Sequence, residues 1–241
     1  MDDDAAKVAR IGRLPAQGEA RVADFPLDPT EREAILDRYQ EAVRLYLGGA
    51  VGHAEDADAL FLEFSRRLLQ EGDRSAGLLR DRFGSGLALL VVAHRRDAQT
   101  VHDLQELRGL TEADEEIGRF NAIWREELLR RAWRRLEDIE RQTGRPFHTT
   151  LRSRVDAPGL SSAELADRVG GQLGRELSVP TTRQLLREAR AEFSRLLLDE
   201  VVATLPSRAP FTLIERELID TGLLAFCREA IDRIRPASRR R

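Results

Sequence analysis

Residues 160–198, LSSAELADRVGGQLGRELSVPTTRQLLREARAEFSRLLL, carry the pattern that decides the fold. Ser161 and Glu164 have the spacing of a capping box, in which a hydroxyl and a carboxylate bind the free N–H groups at a helix start. A short helix is therefore expected, and it should end at the Gly170-Gly171 pair, because glycine adopts the left-handed conformation at little cost. The apolar face of this helix is formed by Leu165, Ala166 and Val169.

A second, longer helix is predicted to open at Thr181, which has capping-box spacing to Gln184. Its apolar positions recur at helical spacing, at Leu185, Ala189, Phe193, Leu196 and Leu197. Three arginines, Arg183, Arg187 and Arg190, lie on other faces and give the helix a basic surface. The stretch is thus predicted to be helix, long turn and helix, with the turn running from Gly170 to Ser178.

Two interpretations of this basic surface are open. In a DNA-binding helix-turn-helix, the second helix enters the major groove and its N-terminal side chains reach base edges. In a helical hairpin of an ordinary bundle, the arginines would be a solvated face, partly neutralised by Glu188 and Glu192. Because short capped helices are common, the pattern alone supports the DNA-binding interpretation only weakly.

Composition points to an all-helical protein built from two modules. The chain has 241 residues, a third of them charged, with few aromatics and almost no β-branched runs. Its net charge is only −3, so DNA affinity would have to come from local patches. Residues 97–116 hold seven acids and one arginine, whereas residues 145–195 hold nine arginines and six acids. Charge is therefore segregated along the chain.

Cysteine and histidine usage argues against a disulfide or a metal site. Cys227 is the only cysteine, which excludes an internal disulfide and favours a reducing, cytoplasmic compartment. The four histidines are His53, His94, His102 and His148, and no two of them have the sequence spacing that is typical of paired metal ligands. No apolar run approaches the roughly 20 residues of a membrane helix, and no signal peptide is recognisable. We expect no cofactor and no catalytic site.

The chain divides into five predicted segments. Residues 1–29 are a flexible tail, residues 30–98 a helical domain and residues 99–118 an acidic linker. Residues 119–205 form a second domain, with a long amphipathic helix ahead of the helix-turn-helix, and residues 206–241 are a helical extension. The first domain has helices from Pro29 to Gly48-Gly49, over residues 53–69 and over residues 79–96, where Gly84 and Gly86 interrupt the pattern. The predicted fold class is all-α, as two small helical domains joined by an acidic linker.

In this order, the segments resemble a bacterial RNA polymerase sigma factor of the extracytoplasmic-function type. AEDADALFLEFSRRLL (54–69) resembles the region 2 helix that docks on the core polymerase, and GLLRDRFGSGLALLVVAHRR (77–96) resembles the following helix, which captures and melts the −10 element. SSAELADRVG (161–170) and SVPTTRQLLREARAEFSRLL (178–197) resemble the two helices of region 4, the second of which reads the −35 element. The resemblance covers residues 30–98 and 119–205.

The resemblance implies a protein that directs core RNA polymerase to promoter DNA and has no catalytic residues of its own. An inhibitory anti-sigma protein is a further partner that the resemblance allows. The residues implied in core-polymerase binding are Asp56, Asp58, Leu60, Glu63 and Phe64. Those implied near the −10 strand are Arg80, Arg82, His94, Arg95 and Arg96, and those implied at −35 DNA are Thr181, Thr182, Arg183, Gln184, Arg187 and Arg190. The alternatives are a helix-turn-helix regulator that acts without core polymerase and a helical protein-interaction module.

Overall fold

The computed structural model describes residues 29–70, 79–96, 111–207 and 209–234. These residues form nine α-helices and no β-strand, which confirms the all-α fold class. The helices are α1 (Pro29–Val51), α2 (Ala54–Gln70), α3 (Leu79–Arg95), α4 (Thr111–Thr143), α5 (Phe147–Asp156), α6 (Ser162–Leu173), α7 (Val179–Val202), α8 (Phe211–Asp220) and α9 (Leu224–Ile234). The predicted N-terminal tail, apart from residue 29, the first part of the predicted linker and the end of the C-terminal extension lie outside the described residues.

The chain forms two compact units whose boundary differs from the predicted one. The first unit contains the described residues up to Glu127 together with Val201–Leu223, and the second contains Leu128–Glu200 and the described residues from Leu224. The chain therefore passes from one unit to the other three times. The first boundary falls inside α4, well after the predicted linker.

Residues 111–118, predicted to belong to the acidic linker, are the first two turns of α4. They are helical because two of them are buried rather than solvated: Ala113 packs in the interior, and the Glu116 carboxylate lies in the interior as well. Three donors satisfy that carboxylate, namely the hydroxyl of Tyr46 at 2.7 Å and the guanidinium groups of Arg95 and Arg119, both at 2.8 Å. The acid-rich composition suggested a solvated linker, whereas Glu116 in this segment is a buried structural residue of the first unit.

The interior of the first unit is an aromatic cluster around Trp124, which is fully buried. The ring centroid of Trp124 lies 4.5 Å from that of Tyr39, 5.6 Å from Phe120 and 5.8 Å from Phe83. Each such pair stabilises by about 0.5–1.5 kcal/mol beyond the area it buries. The cluster joins α1, α3 and α4.

The glycines of α3 do not interrupt the helix. A Cβ at Gly84 would lie 3.2 Å from the Phe120 ring, so Gly84 makes room for that ring, whereas one at Gly86 would make an ordinary contact, 3.5 Å, with the Phe64 ring. Close packing of Phe120 therefore compensates in part for the cost of glycine at position 84, about 1 kcal/mol in a helix. The predicted end of α1 at Gly48-Gly49 is also wrong, since α1 continues to Val51 and Gly52 takes the positive φ of 79°.

The second unit is built on the C-terminal part of α4, where Leu128, Ala132 and Leu136 are fully buried. Trp133 is half-buried, with its ring 4.8 Å from that of Phe193 on α7. No helix among the described ranges is long and apolar enough to cross a membrane.

An ion-pair group also joins α4 to α7 in the second unit. The guanidinium of Arg135 lies 3.0 Å from the carboxylate of Glu200 and 3.2 Å from that of Asp199, both of which are buried. These pairs hold the C-terminal half of α7 against α4.

Candidate nucleic-acid interface

The first helix of the helix-turn-helix, α6, begins as predicted. The Ser161 hydroxyl accepts from the Glu164 N–H at 3.3 Å, and the Glu164 carboxylate accepts from the Ser161 N–H at 2.7 Å. These hydrogen bonds to Ser161 favour the ionised carboxylate and lower the pKa of Glu164. The capping box therefore exists and fixes the start of α6.

The end of α6 differs from the prediction that Gly170-Gly171 stops it. The helix continues to Leu173, and Gly174 is the residue with left-handed φ, at 64°. The chain then folds back over Gly170: the Arg175 N–H donates to the Gly170 carbonyl at 3.1 Å, and a Cβ at Gly170 would lie 2.7 Å from the Arg175 carbonyl oxygen. Gly170 is needed for this close approach, and the connection to α7 shortens to residues 174–178.

The second helix, α7, begins at Val179, two residues before the predicted start. Its first turn is capped by Ser178, whose hydroxyl accepts from the Thr181 N–H at 3.2 Å. Thr182 is buried and its hydroxyl donates to the Ser178 carbonyl at 3.1 Å. The predicted DNA contact of Thr182 is therefore wrong. Thr181 is exposed, with its hydroxyl 2.8 Å from that of Ser178.

Three exposed arginines of α7 form what we call the arginine stripe: Arg183, Arg187 and Arg190. Their spacing of four and then three residues puts them on one side of the helix. At 1.5 Å per residue the stripe is about 10 Å long. Arg187 and Arg190 have no ion pair or side-chain hydrogen bond within the described part of the chain. The stripe is thus free to meet an external anion.

The acids on α7 do not neutralise the stripe, because each has another partner. Glu188 lies 2.7 Å from the guanidinium of Arg145 and accepts from the Gln184 amide at 3.0 Å. Glu192 pairs with Arg195 at 2.6 Å. Gln184 is exposed but engaged with Glu188, whereas the arginine stripe keeps its positive charge.

Two further exposed arginines were missed by the sequence analysis. Arg168 lies on α6 and Arg175 in the turn, and neither has an ion pair in the ranges that the structure covers. Their positive charge next to the helix-turn-helix was the only sequence signal for them. Together with the stripe they give this segment of the second unit five exposed cations.

Arg80, predicted to lie near the −10 strand, is buried in the first unit instead. Its guanidinium lies 3.0 Å from the Glu217 carboxylate and 3.5 Å from that of Asp220, and it donates to the Asn121 side-chain oxygen at 2.9 Å. A guanidinium held by two carboxylates in the interior cannot also contact a DNA strand. The prediction for Arg80 is wrong.

Three of the other predicted −10 residues, His94, Arg95 and Arg96, lie at the C-terminal end of α3 and are exposed, but they face acids of their own unit. Arg95 pairs with Glu116 at 2.8 Å and donates to the Ala50 carbonyl at 2.8 Å, and Arg96 pairs with Glu112 at 2.7 Å. The His94 Nε2 lies 3.7 Å from the Asp56 carboxylate. The side chain of Arg82 lies outside the description. Sequence alone could not reveal that Arg95 and Arg96 are already paired with acids of the protein.

The residues predicted to bind core polymerase are not a single exposed face. Phe64 is buried, with its ring 5.1 Å from and edge-on to that of Phe83, so its predicted partner contact is wrong. Leu60 is half-buried, Asp56 faces His94, and Asp58 pairs with Arg44.

Glu63 is engaged with two arginines of its own helix. It pairs with Arg66 at 2.8 Å and with Arg67 at 2.5 Å. The hydrogen bond from Arg66, with further help from Arg67, lowers the pKa of Glu63 to about 2. The most exposed apolar side chain of α2 is Leu62, at 67% exposure, which the predicted set omitted.

The described residues hold no group of histidine, cysteine, aspartate and glutamate side chains that could bind a metal ion. Neither a protein-family model, nor a curated protein sequence, nor a solved structure matches the chain. Any function must therefore be inferred from the chain's own residues.

Proposed function

We propose that the protein binds duplex DNA through the helix-turn-helix of α6 and α7, with the arginine stripe against the DNA. The observation that carries this proposal is the stripe itself: three exposed arginines at i, i+4 and i+7 in the first half of the second helix, with the neighbouring acids paired elsewhere. Second helices of this motif enter the major groove, where arginines contact phosphates and base edges.

The number of exposed arginines sets the expected salt dependence. Each phosphate neutralised by an arginine contributes about −0.9 to the slope of log affinity against log salt. Phosphate contacts by Arg187 and Arg190 therefore give a slope of about −1.8, and phosphate contacts by the other exposed arginines of the segment would bring it toward about −4.5. Such a slope separates DNA binding from a bundle with a merely solvated face.

The test is fluorescence anisotropy with a labelled duplex over a range of salt concentrations. Arg187→Ala with Arg190→Ala is expected to weaken binding at least tenfold at low salt and to reduce the slope by about two. Arg134→Ala is the matched control, because Arg134 is an exposed arginine of the second unit that belongs to α4 and not to α6 or α7. Absence of salt-dependent binding by the native protein, or an equal loss in the control, would contradict the proposal.

A second candidate is the more specific function of a sigma factor that carries core RNA polymerase to promoters. An exposed side of α2 supports it, since the exposed acids Glu55 and Asp58 precede Leu62 by seven and four residues and therefore lie on the same side of the helix. An exposed leucine beside acids suits a partner with a basic and apolar surface. The pairing of Arg80, Arg95 and Arg96 within the protein gives no support to a role in melting the −10 element.

The two candidates differ in what happens with purified core polymerase. A sigma factor forms a complex and initiates at defined start sites, whereas a regulator binds its DNA site alone. Leu62→Glu should abolish complex formation, and Leu45→Glu is the control, since Leu45 is an equally exposed leucine on α1. No complex between the native protein and core polymerase would leave only the DNA-binding regulator.

A further inference from the structure

Arg183 differs from the other two arginines of the stripe in having a fixed position. Its Nε donates to the Ser162 hydroxyl at 3.1 Å, across from α7 to the first turn of α6. Its two terminal nitrogens have no other hydrogen bond or ion pair with the described residues. Arg183 is exposed, so these nitrogens remain available to a ligand.

The anchor of Arg183 lies on a rigid element. Ser162 is the first residue of α6, and it follows Ser161, the N-cap residue of the capping box. The capping box and the helix therefore both fix the backbone of Ser162. Ordering a long side chain such as arginine costs up to about 2 kcal/mol. The hydrogen bond to Ser162 already orders part of the Arg183 side chain in the free protein, so less entropy is lost when a ligand binds.

The free end of an arginine held by its Nε is a pair of parallel donors. In the major groove, guanine offers two adjacent acceptors, N7 and O6, which accept from such a pair. Adenine offers one acceptor beside the N6 donor, and therefore cannot accept from both nitrogens. A phosphate can accept from the same pair. An unanchored arginine can turn to reach a phosphate on the DNA backbone, whereas a base edge in the groove requires donors at a fixed position, so the anchored residue suits a base and the two unanchored arginines suit phosphates.

We propose that Arg183 determines specificity by reading one guanine in the major groove, and that Ser162 is its positioning residue. This inference rests on the proposed DNA binding. Arg187 and Arg190 then supply affinity that does not depend on sequence. The division follows from the side-chain contacts, since only Arg183 of the three is tied to a neighbouring helix.

The experiment begins with selection of a preferred site from a randomised duplex library by the full-length native protein. Affinity is then measured for duplexes in which each G·C pair of that site is replaced in turn by A·T. The native protein should lose about 5- to 150-fold at one G·C pair, the range that a bidentate contact provides. Arg183→Ala should bind the original and the replaced duplex equally at that pair and keep its preferences elsewhere.

Three further variants separate base reading from phosphate binding. Arg183→Lys keeps the charge without the paired donors, and should lose the discrimination while leaving the salt slope within about 0.3 of native. Ser162→Ala should lose part of the discrimination at the same pair, and Ser162→Thr, which restores a hydroxyl, should recover it. Arg187→Ala should weaken binding to every duplex equally and lower the slope by about one.

The outcomes distinguish this inference from the proposed function. If the native protein binds no duplex, DNA binding itself is wrong. If it binds, but Arg183→Ala discriminates at every pair as the native protein does, the guanine-reading role is overturned and Arg183 is one more phosphate contact. If Ser162→Ala discriminates fully, the positioning role is overturned. Thermal melts of each variant show that it is folded.

Discussion

Replacing Gly170, a buried residue near the end of α6, with alanine would put a Cβ 2.7 Å from the carbonyl oxygen of Arg175. Cβ atoms do not approach a backbone oxygen so closely, and this oxygen belongs to the main chain that carries the turn into α7. Forcing atoms into a filled interior costs about 1–3 kcal/mol. Alanine also gains up to about 1 kcal/mol over glycine in a helix. The net expectation is a loss of about 1–2 kcal/mol.

The next residue provides a matched control, because Gly171 lies in the same turn of α6 and a Cβ there would meet no atom within 4 Å. Gly171→Ala should therefore show only the gain in helix propensity, about 0.5–1 kcal/mol. Two adjacent glycines with the same substitution are thus expected to shift stability in opposite directions.

Thermal and urea unfolding, followed by circular dichroism, would measure both variants. A change of 1 kcal/mol shifts Tm by about 2–4 °C in a chain of this size, so Gly170→Ala should lower Tm by about 2–8 °C and Gly171→Ala should raise it by about 1–4 °C. Equal shifts of the same sign in the two variants would refute the close approach of Arg175 over Gly170. A destabilised Gly170→Ala protein should also bind DNA less well, since the turn positions α7.

Three other predictions concern the first unit and Cys227. Glu116→Gln should lower the free energy of unfolding by about 1.5–3 kcal/mol in urea titration, because a buried carboxylate that accepts from Tyr46 and two arginines loses its charge; unchanged stability would argue against that cluster. The pKa of Glu63 is lowered from 4.5 to about 2, so the stability contributed by its ionised carboxylate is complete above pH 4.5 and is lost as the pH falls toward 2. The difference in unfolding free energy between the native protein and Glu63→Gln should therefore shrink between pH 4.5 and 2. A difference that stays constant over this range would count against the pairing with Arg66. Burial raises the pKa of the Cys227 thiol to about 12, so a disulfide reagent should modify it slowly in the native protein and rapidly in denaturant; rapid native modification would show that the thiol is accessible.

Local signals in the sequence were sufficient for the all-α class and for the start of α6. The capping box of Ser161 and Glu164 depends on residues three apart, so it can be recognised without knowledge of the rest of the chain. The amphipathic helix after residue 119 was likewise recognisable, because apolar residues recur at helical spacing along α4. These features are decided within one or two helical turns.

Glycine positions were misjudged because their effect depends on distant residues. Gly84 and Gly86 lower helix propensity locally, yet both lie inside α3, and the Phe120 ring packs close to Gly84. Gly170 likewise lies within α6, and the chain returns over it after Gly174. A rule based on composition includes only the local cost of about 1 kcal/mol and not the packing of distant residues.

Charge was the least predictable property of the candidate sites. Arg80 and Arg183 look alike in sequence, but Arg80 is buried between Glu217 and Asp220, which lie more than 130 residues further along the chain, whereas Arg183 is exposed. Similarly, Glu188 looked like a neutralising neighbour of the arginine stripe, but it pairs with Arg145. Whether a cation is free depends on which acid the fold brings to it, and residue order does not specify that.

The chain crosses between the two units three times, and this limits how gene recombination could exchange either unit. No continuous gene segment encodes either unit: residues 119–205 alone would lack α9, whose Ala230 N–H donates to the Ser194 hydroxyl of α7 at 3.3 Å. A single recombination event could therefore neither transplant the helix-turn-helix unit intact nor remove it cleanly. Descendants of this gene are expected to diverge by substitution within the whole chain rather than by exchange of modules.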